Sequence, residues 1–251
     1  MRFLIVSDIH GNIDALEAVL HHVRRKRWDR VLFLGDAVGY GGGPNQVVEW
    51  LRSLGSALVA VRGNHDRVCT GLDEATYFNR YARQAAEWTL QNLGRKNLEW
   101  LRALPKGPLA AGDGLAICHG SPVDEDAYIF SGYDAAQGFR AVPHRVVFFG
   151  HTHVPSAFVL RSTNGKALIQ VRLLSGKRLV LDLEPECRYL INPGSVGQPR
   201  DRDPRAAYAI YDDRVSRLYL YRVPYRVQTA RRRIVQAGLP PVLADRLVFG
   251  A

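Results

Sequence analysis

The chain has 251 residues, 47% of them hydrophobic, enough for one compact domain of the α/β or layered-β kind, and it holds no apolar stretch of the roughly 18 residues a membrane span needs. Its three cysteines, Cys69, Cys118 and Cys187, lie far apart and form no CxxC pair, which excludes a disulfide framework and a thiolate zinc site. The excess of 34 basic over 24 acidic residues, a net charge of +10, would attract polyanions without specifying one.

Phe3-Leu4-Ile5-Val6 reads as a first strand, entered directly from Met1 without a targeting leader, so a soluble cytoplasmic protein is expected. Asn12 then stands where a helix N-cap belongs, and Leu16, Val19, Leu20 and Val23 recur at helical spacing, with acids early and Arg24-Arg25-Lys26-Arg27 at the end. Val31 to Leu34 is a second strand. It leads into the glycine-rich Gly39-Tyr40-Gly41-Gly42-Gly43 loop, Pro44 at a helix start, a helix to about Leu54, and a third strand at Leu58 to Val61. This β-α-β-α-β order predicts a parallel sheet.

Residues 73–104 then form a helical insertion. Tyr77, Tyr81, Ala85 and Trp88, followed by Leu98, Leu101 and Leu104, predict a buried face, a roof over the site and a homo-oligomer contact being the alternatives. Leu115 to Ile117 and Val146 to Phe149 are two more strands. From Ser156 on, short apolar runs (Ala157 to Leu160, Ala167 to Leu173, Arg178 to Leu183, Arg188 to Ile191, Ala206 to Tyr211, Arg217 to Tyr221) alternate with turn signals at Asn164-Gly165, Ser175-Gly176, Pro193-Gly194 and Asp212-Asp213. They predict a mostly antiparallel sheet packed face to face on the first, followed by a helix over about residues 224–238 and a short tail. One domain over residues 1–251 is expected. Arg231-Arg232-Arg233 falls on that last helix as a solvated surface, so nucleic acid is admitted only as a secondary partner.

Five of the apolar runs end in metal-binding or acid/base residue types: Asp8 and His10, Gly35-Asp36, Gly63-Asn64-His65-Asp66, His119, and Gly150-His151-Thr152-His153. Ligands of open α/β sheets gather beyond the strand carboxyl ends, so these tips would pool around one point at a sheet edge. Asp8 and His10, two apart, can serve one ion. Asp36 can offer an oxygen to each of two cations, Asn64 an amide oxygen, His119 and His151 imidazoles to the second ion, and His153 reaches back to the first. Five of the eight histidines fall in these tips, a concentration that scatter does not produce. Cys118, turned away from His119 by strand alternation, is expected to be buried and inert.

The five motifs, in this order, resemble those of the calcineurin-like metallophosphoesterase superfamily. Asn192-Pro193-Gly194-Ser195-Val196-Gly197-Gln198-Pro199-Arg200-Asp201 and Gly39-Tyr40-Gly41 resemble its small bacterial and archaeal phosphoesterases. The resemblance implies a four-layer αββα sandwich of two mixed sheets, with Asp8, His10, Asp36 and His153 on one divalent ion and Asp36, Asn64, His119 and His151 on the other. It implies a phosphomonoesterase or phosphodiesterase, nucleotide derivatives included, working by attack of a metal-bridging hydroxide on a small phosphorylated substrate. Mn²⁺ is the expected metal, with Fe and Zn behind; mixed carboxylate, amide and imidazole ligands without thiolate suit borderline ions and do not choose among them.

His65, beside Asn64 but not a ligand, is placed to protonate the leaving oxygen or stabilise the transition state, with Asp66 orienting its ring. Protein phosphatases and symmetric dinucleoside tetraphosphate hydrolases of the superfamily carry an arginine soon after the bridging aspartate, whereas this chain continues Asp36-Ala37-Val38-Gly39. Asn12, Tyr40 and Arg200 are the expected substitutes for contacting substrate. The competing readings are a catalytically silent scaffold on the same fold and a metal-dependent nuclease.

Overall fold

Alternate side chains of the first strand, β1 (Arg2–Val6), part to opposite sides: Phe3 and Ile5 enter one apolar cluster, Leu4 and Val6 another, and all four are buried. A strand covered on both faces reads as a continuous apolar run, as this one does. The computed structural model describes residues 1–163 and 166–251; the Asn164-Gly165 turn lies outside the described residues.

Along the chain follow α1 (Ile13–Val23), β2 (Arg30–Phe33), α2 (Pro44–Ser53), β3 (Leu58–Ala60), α3 (Asn64–Val68), α4 (Arg80–Asn92), α5 (Arg95–Arg102), β4 (Leu109–Gly112) and β5 (Leu115–Ile117). Next come α6 (Gly132–Ala141), β6 (Val146–Phe148), β7 (Ser156–Thr163), β8 (Lys166–Leu173), β9 (Arg178–Asp182), β10 (Cys187–Asn192), β11 (Ala206–Asp212), β12 (Arg217–Val223), α7 (Val227–Gln236) and α8 (Pro241–Phe249). The strands form two six-stranded mixed sheets, ordered β3-β2-β1-β11-β12-β9 and β4-β5-β6-β10-β7-β8.

Three apolar interfaces stack the layers. Phe3, Ile5, Leu32, Phe148, Tyr189, Ile191 and Tyr211 fill the space between the sheets. Leu16, Val19, Val47 and Leu51 of α1 and α2 cover the outer face of the first sheet, and Ala135 and Phe139 of α6 cover that of the second. This is the expected αββα sandwich of two mixed sheets. The strands after Ser156 do not form a separate antiparallel sheet, however: β11, β12 and β9 extend the first sheet, while β10, β7 and β8 extend the second. Pairing of β1 with β11, antiparallel from Arg2↔Asp212 to Ile5↔Ala209, is what interleaves the two halves.

Two helical expectations change. Asn79 accepts hydrogen bonds from the Tyr81 and Ala82 amides and so starts α4 at Arg80, leaving Tyr77 outside the helix and 99% exposed. The buried face of α4 is Ala82, Ala85, Ala86 and Thr89. The segment expected as a tail is α8, started by Pro241 and ended by Gly250 in the left-handed conformation, φ +61°. Among the described residues no helix is long and apolar enough to cross a membrane.

Candidate metal centre

The three parallel strands β1, β2 and β3 of one sheet and β5 and β6 of the other finish at the same end of the sandwich. The five tips therefore meet between the carboxyl ends of two sheets, where one sheet edge was expected. Backbone hydrogen bonds stitch the tips together: Asp8 N–H to Gly35 O (3.0 Å), His10 N–H to Asp36 O (3.0 Å) and Gly150 N–H to His119 O (2.8 Å). Asp8, His10, Asp36, Tyr40, His151 and His153 all sit at φ between +50° and +66°. Left-handed backbone at a non-glycine residue is held only where surrounding structure over-determines it, and it clusters at functional sites.

Two groups of ligand atoms result: Asp8, His10, Asp36 and His153, and Asp36, His119 and His151, each with its atoms within 4.8 Å of one another. Asp36 belongs to both. All six of these residues are buried, and Asn64, half-buried, places Oδ1 3.2 Å from His119 Nε2.

The orientation of the imidazoles tests whether cations fit. His10 Nδ1 lies 3.0 Å from Val38 O, His119 Nδ1 2.8 Å from Leu34 O, and His153 Nδ1 2.6 Å from Gln198 O. A backbone carbonyl can only accept, so each Nδ1 carries the proton and each Nε2 turns a lone pair to the centre. There His10 Nε2 and His153 Nε2 face each other at 3.2 Å. Asp36 Oδ2, buried and without a hydrogen bond, lies 3.5 Å from His10 Nε2 and 3.4 Å from His119 Nε2. Acceptors converging on acceptors repel unless positive charge lies among them, and oxygen and imidazole donors suit divalent ions. The residues of each group fit a divalent cation, and Asp36 is common to both groups.

Electrostatics carry the same strain. Burial pushes the Asp8 carboxyl up, and it lowers His10 to about 4 and His151 to about 3. Burial also acts to lower His119, but the Asp36 carboxylate outweighs it and raises that imidazole to about 10, so that without a cation a proton on Nε2 stands in the cation's place beside Asp36.

Asp66 does not orient His65. Its carboxylate accepts from the backbone amides of Asp36 (2.9 Å), Ala37 (2.8 Å) and Gly63 (3.0 Å), so it fixes the loop that carries Asp36. The His65 ring is held instead by tilted aromatic packing, its centroid 4.4 Å from both Tyr40 and Phe78, and its Nδ1 is buried without a partner. Asn12 does not reach the site: Oδ1 caps α1 and Nδ2 donates to Gly197 O (2.8 Å) and Tyr225 Oη (3.3 Å). Tyr40, His65 and Arg200 do line a cavity of about 370 Å³ over the ligands. Phe78, Tyr128 and Arg246 line it too, three residues that the sequence reading did not single out. Cys118 is buried, its thiol pushed up by burial and its Sγ donating to Gly120 O, consistent with an inert core residue.

Gly63 illustrates how tightly the centre is built, because a Cβ there would collide with Asp36 Oδ1. A Gly63→Ala chain is expected to lose about 1–3 kcal/mol of stability and part of its metal, checked by thermal melting and elemental analysis.

Residues 1–214 match the calcineurin-like phosphoesterase superfamily domain. An uncharacterized protein from Methanocaldococcus jannaschii is 35% identical over 251 residues, 98% of this chain and 97% of that protein. A metallophosphoesterase from Sphaerobacter thermophilus has a crystal structure similar to this one, with 40% identity, coverage of 100% of this chain and 99% of that chain, and a TM-score of 0.86. Part of the chain is also similar to a symmetrical bis(5'-nucleosyl)-tetraphosphatase from Methylobacillus flagellatus, 30% identical over 125 residues, 47% of this chain and 43% of that protein.

Proposed function

The chain belongs to the calcineurin-like phosphoesterase superfamily and is a phosphoester hydrolase; on that premise we propose that it is a cytoplasmic dinuclear-metal enzyme that cleaves phosphomonoesters or phosphodiesters, nucleotide derivatives among them. The observation that carries this reading is Asp36 Oδ2, buried, unpartnered and shared between two sets of ligands. One ion would take Asp8, His10, Asp36 and His153, the other Asp36, Asn64, His119 and His151. Mn²⁺ is the first expectation for both, ahead of Fe and Zn; the thiolate-free donor set suits all three. When bound, two such cations lower the pKa of an attacking water and neutralise charge on the phosphoryl oxygens.

The protein's own side chains do the rest. His65 lines the cavity and is held neutral by burial, so the tautomer protonated at Nε2 would donate to the leaving oxygen. Phe78 and Tyr40 wall that ring from bulk water, strengthening any hydrogen bond it makes. Arg200 would meet a nonbridging phosphoryl oxygen, which a guanidinium matches in charge and geometry. Tyr77, 99% exposed on the cavity wall, offers a flat apolar face to a nucleobase and so supports a nucleotide derivative as substrate.

Hydrolysis of an aryl phosphate and an aryl phosphodiester, before and after chelation and with Mn²⁺ restored, tests the reading. Turnover that disappears with chelator and returns with metal supports it; turnover indifferent to chelator, or absent after restoration, contradicts it.

A further inference from the structure

Three guanidinium groups line the cavity, from Arg67, Arg200 and Arg246. Arg67 is matched by Asp73, Glu125 and Asp126 at 2.7 to 2.9 Å. Arg200 and Arg246 have no aspartate or glutamate partner among the described residues. Arg200 donates to Gln198 Oε1 at 3.2 Å and keeps a buried Nε without a hydrogen bond, and Arg246 donates from Nε to Ala251 O at 2.7 Å. The other acids of the cavity wall are committed elsewhere: Asp36 to the metal centre, Asp73 and Asp126 to Arg67.

The fold ties together the two segments that carry these cations. Leu243, Ala244 and Leu247 of α8 pack with Tyr40, Ala82 and Ala85, which seats the helix against the site. Gly250, the C-cap of α8, accepts a hydrogen bond from the Arg202 amide at 2.8 Å, tying the helix end to the loop that carries Arg200. A Cβ at Gly250 would meet the Asp203 backbone at 2.7 Å, and φ there is +61°, so glycine permits the junction.

The two arginines enter from different sides. Arg200 lies on the loop beside the ligands, its amide donating to His153 O at 3.4 Å. Arg246 comes from α8, whose Leu243 and Leu247 pack with Tyr40, and burial followed by the charge of Arg200 lowers its pKa. Two half-buried like charges without an aspartate or glutamate between them repel each other, and an anion placed there relieves both repulsion and desolvation. A phosphoryl group at the metal ligands would lie beside Arg200, leaving Arg246 placed for the next group outward.

We propose that Arg200 and Arg246 form an anion subsite for a second phosphoryl group, one that is not cut, so that the substrate carries at least two linked phosphoryl groups. This rests on the phosphoester-hydrolase reading and adds the substrate class. The α8 arginine that supplies the outer half lies beyond residues 1–214, the part of the chain matching the superfamily domain.

The test is calorimetric binding of adenosine 5'-(α,β-methylene)diphosphate and of AMP to the metal-loaded protein at saturating free Mn²⁺. The unmodified chain is expected to bind the diphosphate analogue about tenfold more tightly, the size of one charge-assisted contact. Arg246→Gln should bring that ratio close to one, Arg246→Lys should restore part of it, and Arg232→Gln, removing an exposed charge on α7, should leave it as it was. Equal affinities for the two ligands in the unmodified chain would overturn the proposal, as would a ratio that survives in a folded Arg246→Gln chain. Failure of the underlying reading has a different signature, namely no metal-dependent turnover of any phosphoester by the unmodified, metal-loaded chain.

Discussion

An Asp36→Asn chain is expected to lose metal from both positions and at least about a thousandfold in turnover, while remaining folded. The size of the effect follows from sharing. Asp8 or His153 contributes to one group of ligand atoms, whereas Asp36 contributes to both, so a neutral amide removes anionic charge from two sites at once. Folding should survive because the loop is fixed by Asp66, whose carboxylate takes the Asp36, Ala37 and Gly63 amides independently of the Asp36 side chain. Elemental analysis beside an aryl phosphate assay checks it. Metal content equal to that of the unmodified chain would show that Asp36 does not bridge.

A His65→Ala chain should behave in the opposite way, keeping its metal and losing kcat by about 10²- to 10⁴-fold, the usual worth of a positioned proton donor. The ring packs against Tyr40 and Phe78 and lines the cavity, but no side-chain atom of His65 belongs to either group of ligands. The loss should fall on kcat with little change in KM, because the hydrogen bond to the leaving oxygen strengthens only as the bond breaks. Substrates with more acidic leaving groups should suffer less, since they need less help from a donor. Metal loss from His65→Ala, or a uniform loss across leaving groups, would assign the ring to structure.

Much of this centre is legible in the sequence because the fold converts a local pattern into a global one. Each ligand stands within a few residues of an apolar run, and parallel strands with their carboxyl ends together bring such tips to one place. That reasoning reaches Asp8, His10, Asp36, Asn64, His119, His151 and His153 without any knowledge of which sheet each strand joins. It cannot reach the interleaving itself, because the pairing of β1 with β11 joins residues about 200 positions apart and turns on packing that no local pattern records. Nor does it reach the job of Asp66, since a carboxylate next to a histidine reads as its partner until the amides of Asp36 and Ala37 are seen to point at it. Arg246 stayed hidden because Pro241 and Gly250, both helix-boundary residues, flank a segment short enough to pass for a tail.

The departures share a cause. Asn12 and Asp66 have short polar side chains that serve backbone amides as readily as substrates, and in both cases the nearby helix end or loop claims them. Tyr40 shows the reverse. Held at φ +59° in a glycine-rich loop, its ring packs against His10 and His65 on one side and the α4, α7 and α8 cluster on the other. Through it the C-terminal helices shape the cavity.

Anomalous diffraction at the manganese edge from crystals grown with Mn²⁺ addresses the proposed dinuclear centre most directly. Two peaks about 3.5–4 Å apart are predicted, one on either side of the Asp36 carboxylate. A single peak, or density confined to the surface while Asp36 Oδ2 keeps company only with His10 and His119, would contradict the account.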